Sequence, residues 1–207
     1  MVQRRKLGIN FIHDENWIGG TYYITNLISA LLTLEDKSKP HITVLSWNES
    51  DCEIIQKTGY PYLSFLNLAL TPNLFGRAIN KVNRILNQKN SISKKVSDKD
   101  FHAIFPASTN NIFDKITHRI FWIPDFQEFY FPEFFSKEQL KSRKEVHEKI
   151  INSGKSIIVS SKSSANDFCA HYPNAKNKIR VLNFAVTHPV YHNLDIRLLV
   201  YYKLQSQ

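Results

Sequence analysis

The sequence predicts an α/β chain whose mostly parallel sheet is covered by helices on both faces, and three observations predict it. Leu7, Ile9 and Phe11 alternate, and then Ile24, Leu27, Ile28, Leu31 and Leu32 recur at helical spacing, so the apolar period switches from 2 to 3.6 across Gly19-Gly20. Several later strand segments are apolar on both faces, as strands buried between two helical layers must be. Finally, 207 residues lie within the one-domain range, and 43% hydrophobic with 13% aromatic side chains supply a real core.

After that first strand, further strands are expected at His41 to Trp47, Tyr62 to Leu68, Phe101 to Phe105, Arg119 to Ile123, Ser156 to Ser160 and Ile179 to Phe184. Ser136-Lys-Glu-Gln139 is a capping box in which hydroxyl and amide satisfy backbone donors reciprocally, and Gly154 falls where a left-handed C-cap is needed, so a helix is expected over about 137 to 153. A shorter helix is expected from Ser163 or Ser164 to His171, where Tyr172-Pro173 stops it. The polar, lysine-rich stretch Gln88 to Asp100 lacks periodicity and is expected to be a mobile surface loop.

Composition narrows the partners. Lys and Arg number 27 against 18 Asp and Glu, and the net charge of +9 suits a negatively charged partner such as nucleic acid, anionic lipid or a phosphorylated sugar. No nucleic-acid motif accompanies the charge, so nucleic acid is not the expected partner. The basic excess concentrates between Arg77 and Lys99, where Asp98 is the acidic exception. A helix over Asn73 to Asn87 would set Ile79, Val82, Ile85 and Leu86 on one face and Arg77, Lys81 and Arg84 on another, which suits docking on an anionic membrane or a lipid-phosphate-linked acceptor, or else a solvated face.

Cys52 and Cys169 support neither a disulfide framework nor a four-ligand zinc site, and a reducing cytoplasm is the expected location. The apolar segment after Arg4-Arg5-Lys6 is cut short by His13-Asp14-Glu15 and cannot be a signal-peptide core. Two charge-free runs, Asn16 to Leu34 and Thr58 to Gly76, are long enough to span a bilayer. The first carries Gly19, Gly20, Thr25, Asn26 and Ser29, the second is broken by Pro61 and Pro72, and neither reads as a span.

Three places have residue types suited to chemistry. Gly19-Gly20 at the tip of the first strand-to-helix turn would let the backbone bend and approach a ligand, with Thr21 at the cap position adding a hydroxyl; simple turn chemistry is the alternative. Asp125, in Ile123-Pro-Asp-Phe-Gln127 at the end of a strand, would either orient a ligand hydroxyl or close an Asx-type turn. Ser160-Ser161-Lys162-Ser163-Ser164 combines hydroxyls, amides and a cation at another strand end, favouring an anion, an N-cap, or both. The aromatics Phe126, Phe129, Tyr130, Phe131, Phe134 and Phe135 suit stacking on sugar faces or a packed loop. His13-Asp14-Glu15 points its side chains apart and finds no partner set at ligand spacing, so no metal site is expected. The remaining histidines, His147 and His171 among them, are scattered without a triad pattern.

The segments Phe121-Trp-Ile-Pro-Asp-Phe-Gln127, Phe131-Pro-Glu-Phe-Phe135 and Ile157-Ile-Val-Ser-Ser161, with Gly19-Gly20 before them, resemble the acceptor half of a family 4 glycosyltransferase of the GT-B type, from Leu7 through Phe184. The resemblance implies one Rossmann-like domain, half of a GT-B fold. It implies retaining transfer of a sugar from a nucleotide diphosphate sugar, the co-substrate, to a hydroxyl of a glycan or lipid-linked acceptor, with no bound cofactor or metal. Gly19, Gly20, Thr21, Gln127, Ser160 and Ser161 would then line the cleft for donor phosphate or acceptor, and Asp125 is the candidate catalytic residue. Related enzymes often carry histidine-aspartate where this chain has Pro124-Asp125, so no histidine role transfers, and Glu128 stands where a histidine commonly follows the glutamine.

In such enzymes the groups that hold the nucleotide and diphosphate belong to a second, donor-binding domain. Residues 1–186 are expected to be the acceptor domain and 187–207 a tail or the start of the interdomain connection, with the donor domain absent; a deliberate truncation, a shortened reading frame or a split enzyme whose donor domain is a separate chain would each account for that. The polypeptide alone is expected to be inactive or nearly so, in the cytoplasm and at the inner face of the membrane where the basic helix docks. A non-catalytic glycan- or partner-binding module is the alternative.

Overall fold

A computed structural model describes residues 3–68, 96–109 and 111–186. The chain is α/β, with seven strands among the described residues: β1 (Lys6–Asn10), β2 (His41–Ser46), β3 (Leu63–Asn67), β4 (Ala103–Phe105), β5 (Ile120–Ile123), β6 (Ser156–Val159) and β7 (Ile179–Val181). The described residues also form five α-helices: α1 (Ile18–Leu31), α2 (Ser50–Gln56), α3 (Gln127–Tyr130), α4 (Lys137–Asn152) and α5 (Lys162–His171). Every strand pairs in parallel, in the orders β3-β2-β1-β4 and β5-β6-β7. A parallel bridge between Ile104 and Arg119 joins the two groups, and the Ala107 amide donates to the Ile120 carbonyl at 2.7 Å across the join. The strand order 3-2-1-4-5-6-7 is that of a doubly wound, Rossmann-like sheet.

Alternation along the strands sorts side chains onto two faces. Ile9, Ile42, Val44 and Phe105 face one way, against Tyr23, Ile24 and Ile28 of α1 and Ile55 of α2. Leu45, Ile104, Phe121, Ile123, Ile157 and Val159 face the other, against Ile150 of α4 and Phe168 of α5. Each of the fully buried side chains among these contributes about 1.5–3 kcal/mol by leaving water. Both layers are needed, because a parallel strand apolar on two faces has no side to leave wet.

The helix ends follow their residues. At α4 the Gln139 amide donates to Ser136 Oγ at 3.2 Å and the Ser136 amide to Gln139 Oε1 at 2.7 Å, and Gly154 adopts φ +71° after the last turn. Ser161 caps α5 by accepting from the Ser164 amide at 3.0 Å, which starts that helix a residue or two before the expected Ser163 or Ser164.

Two expectations need correction. Gly19 and Gly20 are not at the tip of a turn but inside the first turn of α1, and Thr21 follows them within the helix, with Trp17 at the cap position. The expected mobile loop Gln88 to Asp100 has a fixed end: Val96 is buried in the core, and Ser97 bridges to Lys115. Residues 88–95 of that stretch, the expected basic helix with Arg77, Lys81 and Arg84, and the expected tail from 187 lie outside the described residues. Among the described residues no helix is long and apolar enough to cross a membrane.

The capping box gives a direct test. Ser136→Ala should lower unfolding free energy by about 1 kcal/mol in urea titration, because it orphans one helix amide and frees the reciprocal glutamine. An unchanged midpoint would show that water replaces the cap without cost.

Candidate functional site

In open parallel sheets ligands sit beyond the carboxyl ends of the strands, at the point where strand order reverses. Here that point lies between β1 and β4, and a cleft of about 190 Å³ opens there, lined by Asn10 at the end of β1, Phe11 and Ile12 after it, Pro106 after β4, and Trp17, Gly20 and Trp122. A neighbouring cleft of about 320 Å³ shares Trp17 and Trp122 and continues past Pro124 and Asp125 to Arg143 and His147 of α4. The two indoles form the common wall of one crevice.

Trp122 is the hub. Its ring stacks on Tyr23 at 4.3 Å and meets Trp17 at 5.4 Å, and its Nε1 donates to Ser160 Oγ at 2.9 Å. Next to it, Ser164 Oγ donates to the Pro124 carbonyl at 3.1 Å. The α1 start, the Pro-Asp turn and the serine cluster therefore meet at one sheet edge. Burial pushes the Tyr23 phenol up to about 12, and its hydroxyl donates to the Leu182 carbonyl at 2.7 Å, fixing β7's exit to α1.

Gly20 has a packing reason in place of the turn reason. A β-carbon there would come within 2.5–2.8 Å of the Trp17 ring, so the missing side chain is what lets the indole lie across the helix. A β-carbon at Gly19 would meet nothing within 4 Å. Thr21 is buried, and its hydroxyl lies 3.0 Å from His13 Nδ1, a contact that ties the loop after β1 to α1.

Asp125 is half-buried in the crevice wall. Its Oδ1 lies 3.4 Å from the Gln127 amide, the long, weak contact of an Asx-type turn, which leaves most of the carboxylate's accepting capacity unused by that bond. Gln127 itself is exposed at the start of α3. The serines are largely engaged within the protein: Ser161 caps α5, and Ser160 holds Trp122.

The expected aromatic cluster divides. Phe126 is a core residue, and Phe129 stacks on His171 at 3.7 Å. Phe131 and Phe134 stack on each other at 5.7 Å in solvent, Phe134 being 76% exposed.

Sequence reasoning missed a buried polar group behind Asp125. Glu128 is 8% exposed and His147 7%, and Arg143 Nη1 donates to Glu128 Oε2 at 2.9 Å. Arg143 and His147 are four residues apart on α4, on the stripe that continues to Ile150, so charged residues on an otherwise apolar helical face were the available signal. His147 Nδ1 lies 3.6 Å from Glu128 Oε1, too far for a hydrogen bond. Burial holds the His147 imidazole below its ordinary pKa; Glu128 and Asp125 pull it back up, while Arg143 adds to the lowering. A neutral ring makes this contact no ion pair at neutral pH.

Two predictions follow from this geometry. Gly19→Ala should stabilise α1 by up to about 1 kcal/mol, whereas Gly20→Ala should gain less and swing Trp17 off Trp122, seen as a changed near-UV circular dichroism of the indoles. Identical spectra for both variants would remove the packing reason for Gly20. For His147, the unfolded imidazole takes up a proton near pH 6.5 while the buried one resists until lower pH, so the unfolded state binds more protons and stability falls as pH drops through that window. Wild type should lose more stability than His147→Gln between pH 7 and 5 in paired denaturant titrations; equal losses would contradict it.

No protein-family model, no curated protein and no solved structure matches this chain, and its fold and crevice are what bear on its function.

Proposed function

We propose that this chain is the acceptor-side half of a glycosyltransferase, a transferase that moves a sugar from a nucleotide diphosphate sugar to a hydroxyl of a glycan or lipid-linked acceptor in polysaccharide synthesis. The observation that carries the reading is the convergence of Gly20 under Trp17, Trp122 with the Pro124-Asp125 turn, and Ser160-Ser161 at one carboxyl edge of a parallel sheet, around a crevice at its switch point. The motifs that resemble a family 4 enzyme thus lie side by side, although they are far apart in sequence.

The division of labour follows from charge. A departing diphosphate needs cations and preorganised donors aimed at it, and the loss of one such group costs on the order of 100-fold in rate. Among the described residues lining the crevice the cation is Arg143, already held by Glu128. The lining is otherwise aromatic and aliphatic with Asn10, Asp125, Ser142 and His147 among it, which suits a sugar ring rather than a diphosphate. Asp125 is placed to accept a proton-bearing hydroxyl of the acceptor and orient it. The donor-binding groups come from a second domain, and a membrane-linked acceptor would be met by the basic segment with Arg77, Lys81 and Arg84.

The test uses the 207-residue chain directly. Acceptor glycosides should perturb the Trp17 and Trp122 indole signals in NMR titrations, Asp125→Asn should weaken that binding several-fold, and a radiolabelled nucleotide-sugar panel should give no transfer above buffer hydrolysis. Nucleotide sugars binding more tightly than acceptors, or turnover by the chain alone, would overturn the assignment. Glycan binding that an added donor domain never converts into transfer would favour a non-catalytic glycan-binding module.

A further inference from the structure

We infer that a cleft at the opposite end of the sheet from the crevice binds a small soluble phosphate monoester carrying an apolar ring. It has a volume of about 660 Å³ and opens beyond the amino ends of β1 and β4, where Arg5, Lys6, His102 and His118 line it together with Leu7 and Phe101. The size is that of a small-molecule site, for which about 300–1,000 Å³ is usual. The ligand class is read from these residues and is independent of the sugar-transfer reading.

The rim is cationic without compensation. Among the described residues the side chains of Arg5 and Lys6 make no ion pair or hydrogen bond, whereas the neighbouring Arg4 is paired with Asp36 at 2.6 Å. The acid lining the cleft is Asp98, and both of its oxygens are already engaged. The Thr117 amide donates to Oδ1 at 2.7 Å and the Thr117 hydroxyl to Oδ2 at 2.5 Å. Those bonds hold the Asp98 carboxyl below its ordinary range, with His118 and Lys155 adding to the lowering. Asp98 is thus an anchor for the loop before β5, and the excess of positive charge at the rim stands. A concave surface with apolar walls and charges of one sign concentrates the field and draws in the opposite ion.

The donors on this rim suit a phosphate. The Lys6 amide donates to His102 Nδ1 at 3.0 Å, and an amide N–H can only donate, so Nδ1 holds a lone pair and the ring proton sits on Nε2. His102 therefore adds a neutral N–H donor beside the Arg5 guanidinium and the Lys6 ammonium. All three groups donate, and a phosphate monoester offers three acceptor oxygens to receive them. The floor asks for something else. Phe101 is buried and Leu7, Pro40 and Ala103 are partly buried, while Arg5, Lys6, His102 and His118 are exposed around them. An apolar ring covers that floor while its phosphate stays at the wet rim; inorganic phosphate meets the rim alone, and an uncharged ring the floor alone.

The experiment titrates phenyl phosphate, inorganic phosphate and phenol into the full chain at fixed pH and ionic strength, reading the ring nitrogens of His102 and His118 by NMR. Phenyl phosphate should shift both rings and bind about tenfold more tightly than inorganic phosphate, and phenol should move neither. Arg5→Gln and Lys6→Gln should each weaken phenyl phosphate about fivefold, and His102→Asn, which keeps an acceptor for the Lys6 amide and removes the Nε2 donor, about threefold. Lys141→Gln, an exposed lysine of α4, should leave binding unchanged. Equal affinity for the two phosphates, or an equal loss in Lys141→Gln, would show a diffuse ion atmosphere and overturn the site, as would unmoved histidines. Sedimentation with phosphatidic acid vesicles but not phosphatidylcholine vesicles, without binding of phenyl phosphate, would assign the rim to a lipid headgroup and overturn a soluble ligand.

Discussion

Trp122 is the constraint on which the rest of the site depends. One residue of β5 stacks against Tyr23 of α1, touches Trp17 at the start of that helix and bonds Ser160 at the end of β6. Aromatic pairs of this kind add about 0.5–1.5 kcal/mol each beyond the area they bury. The indole therefore ties the first βα unit to the second half of the sheet, across the join that the backbone itself spans through few bonds. The crevice exists because these two halves are held at a fixed distance with an indole wall between them.

The chemistry of that edge follows from what the sheet cannot do. A parallel sheet packed on both faces has no free surface, so ligand-facing groups are confined to the ends of strands and the loops beyond them. Asp125 and Ser160 lie at such ends, and both are held from behind: Pro124 by Ser164, and Ser160 by the Trp122 indole. Behind Asp125 the buried Glu128 pairs with the part-exposed Arg143, and its second carboxylate oxygen faces His147.

The strands were readable because burial on both faces leaves a continuous apolar record, and all seven fall on segments such as Phe121 to Ile123 and Ile157 to Val159. The ends of α4 were readable because Ser136, Gln139 and Gly154 act through bonds local to the helix terminus. Gly20 was not, since a glycine pair after a strand looks the same whether it bends a turn or admits a neighbouring ring. The difference is made by the Trp17 indole folding back over it. Nor was the division of the aromatics between the core residue Phe126 and the solvent-facing Phe134, because consecutive aromatics in a short turn carry no period.

By itself, then, the sequence determined the element order, the parallel α/β class and the strand-end positions of Asp125 and the serines, because each depends on local periodicity or on a cap within a few residues. Tertiary structure alone decided that Trp122 joins Trp17 to Ser160, and that His147 comes within 3.6 Å of Glu128. Those contacts join residues from separate elements, and their distances are set by how helices seat on the twisted sheet, which no short window of sequence encodes.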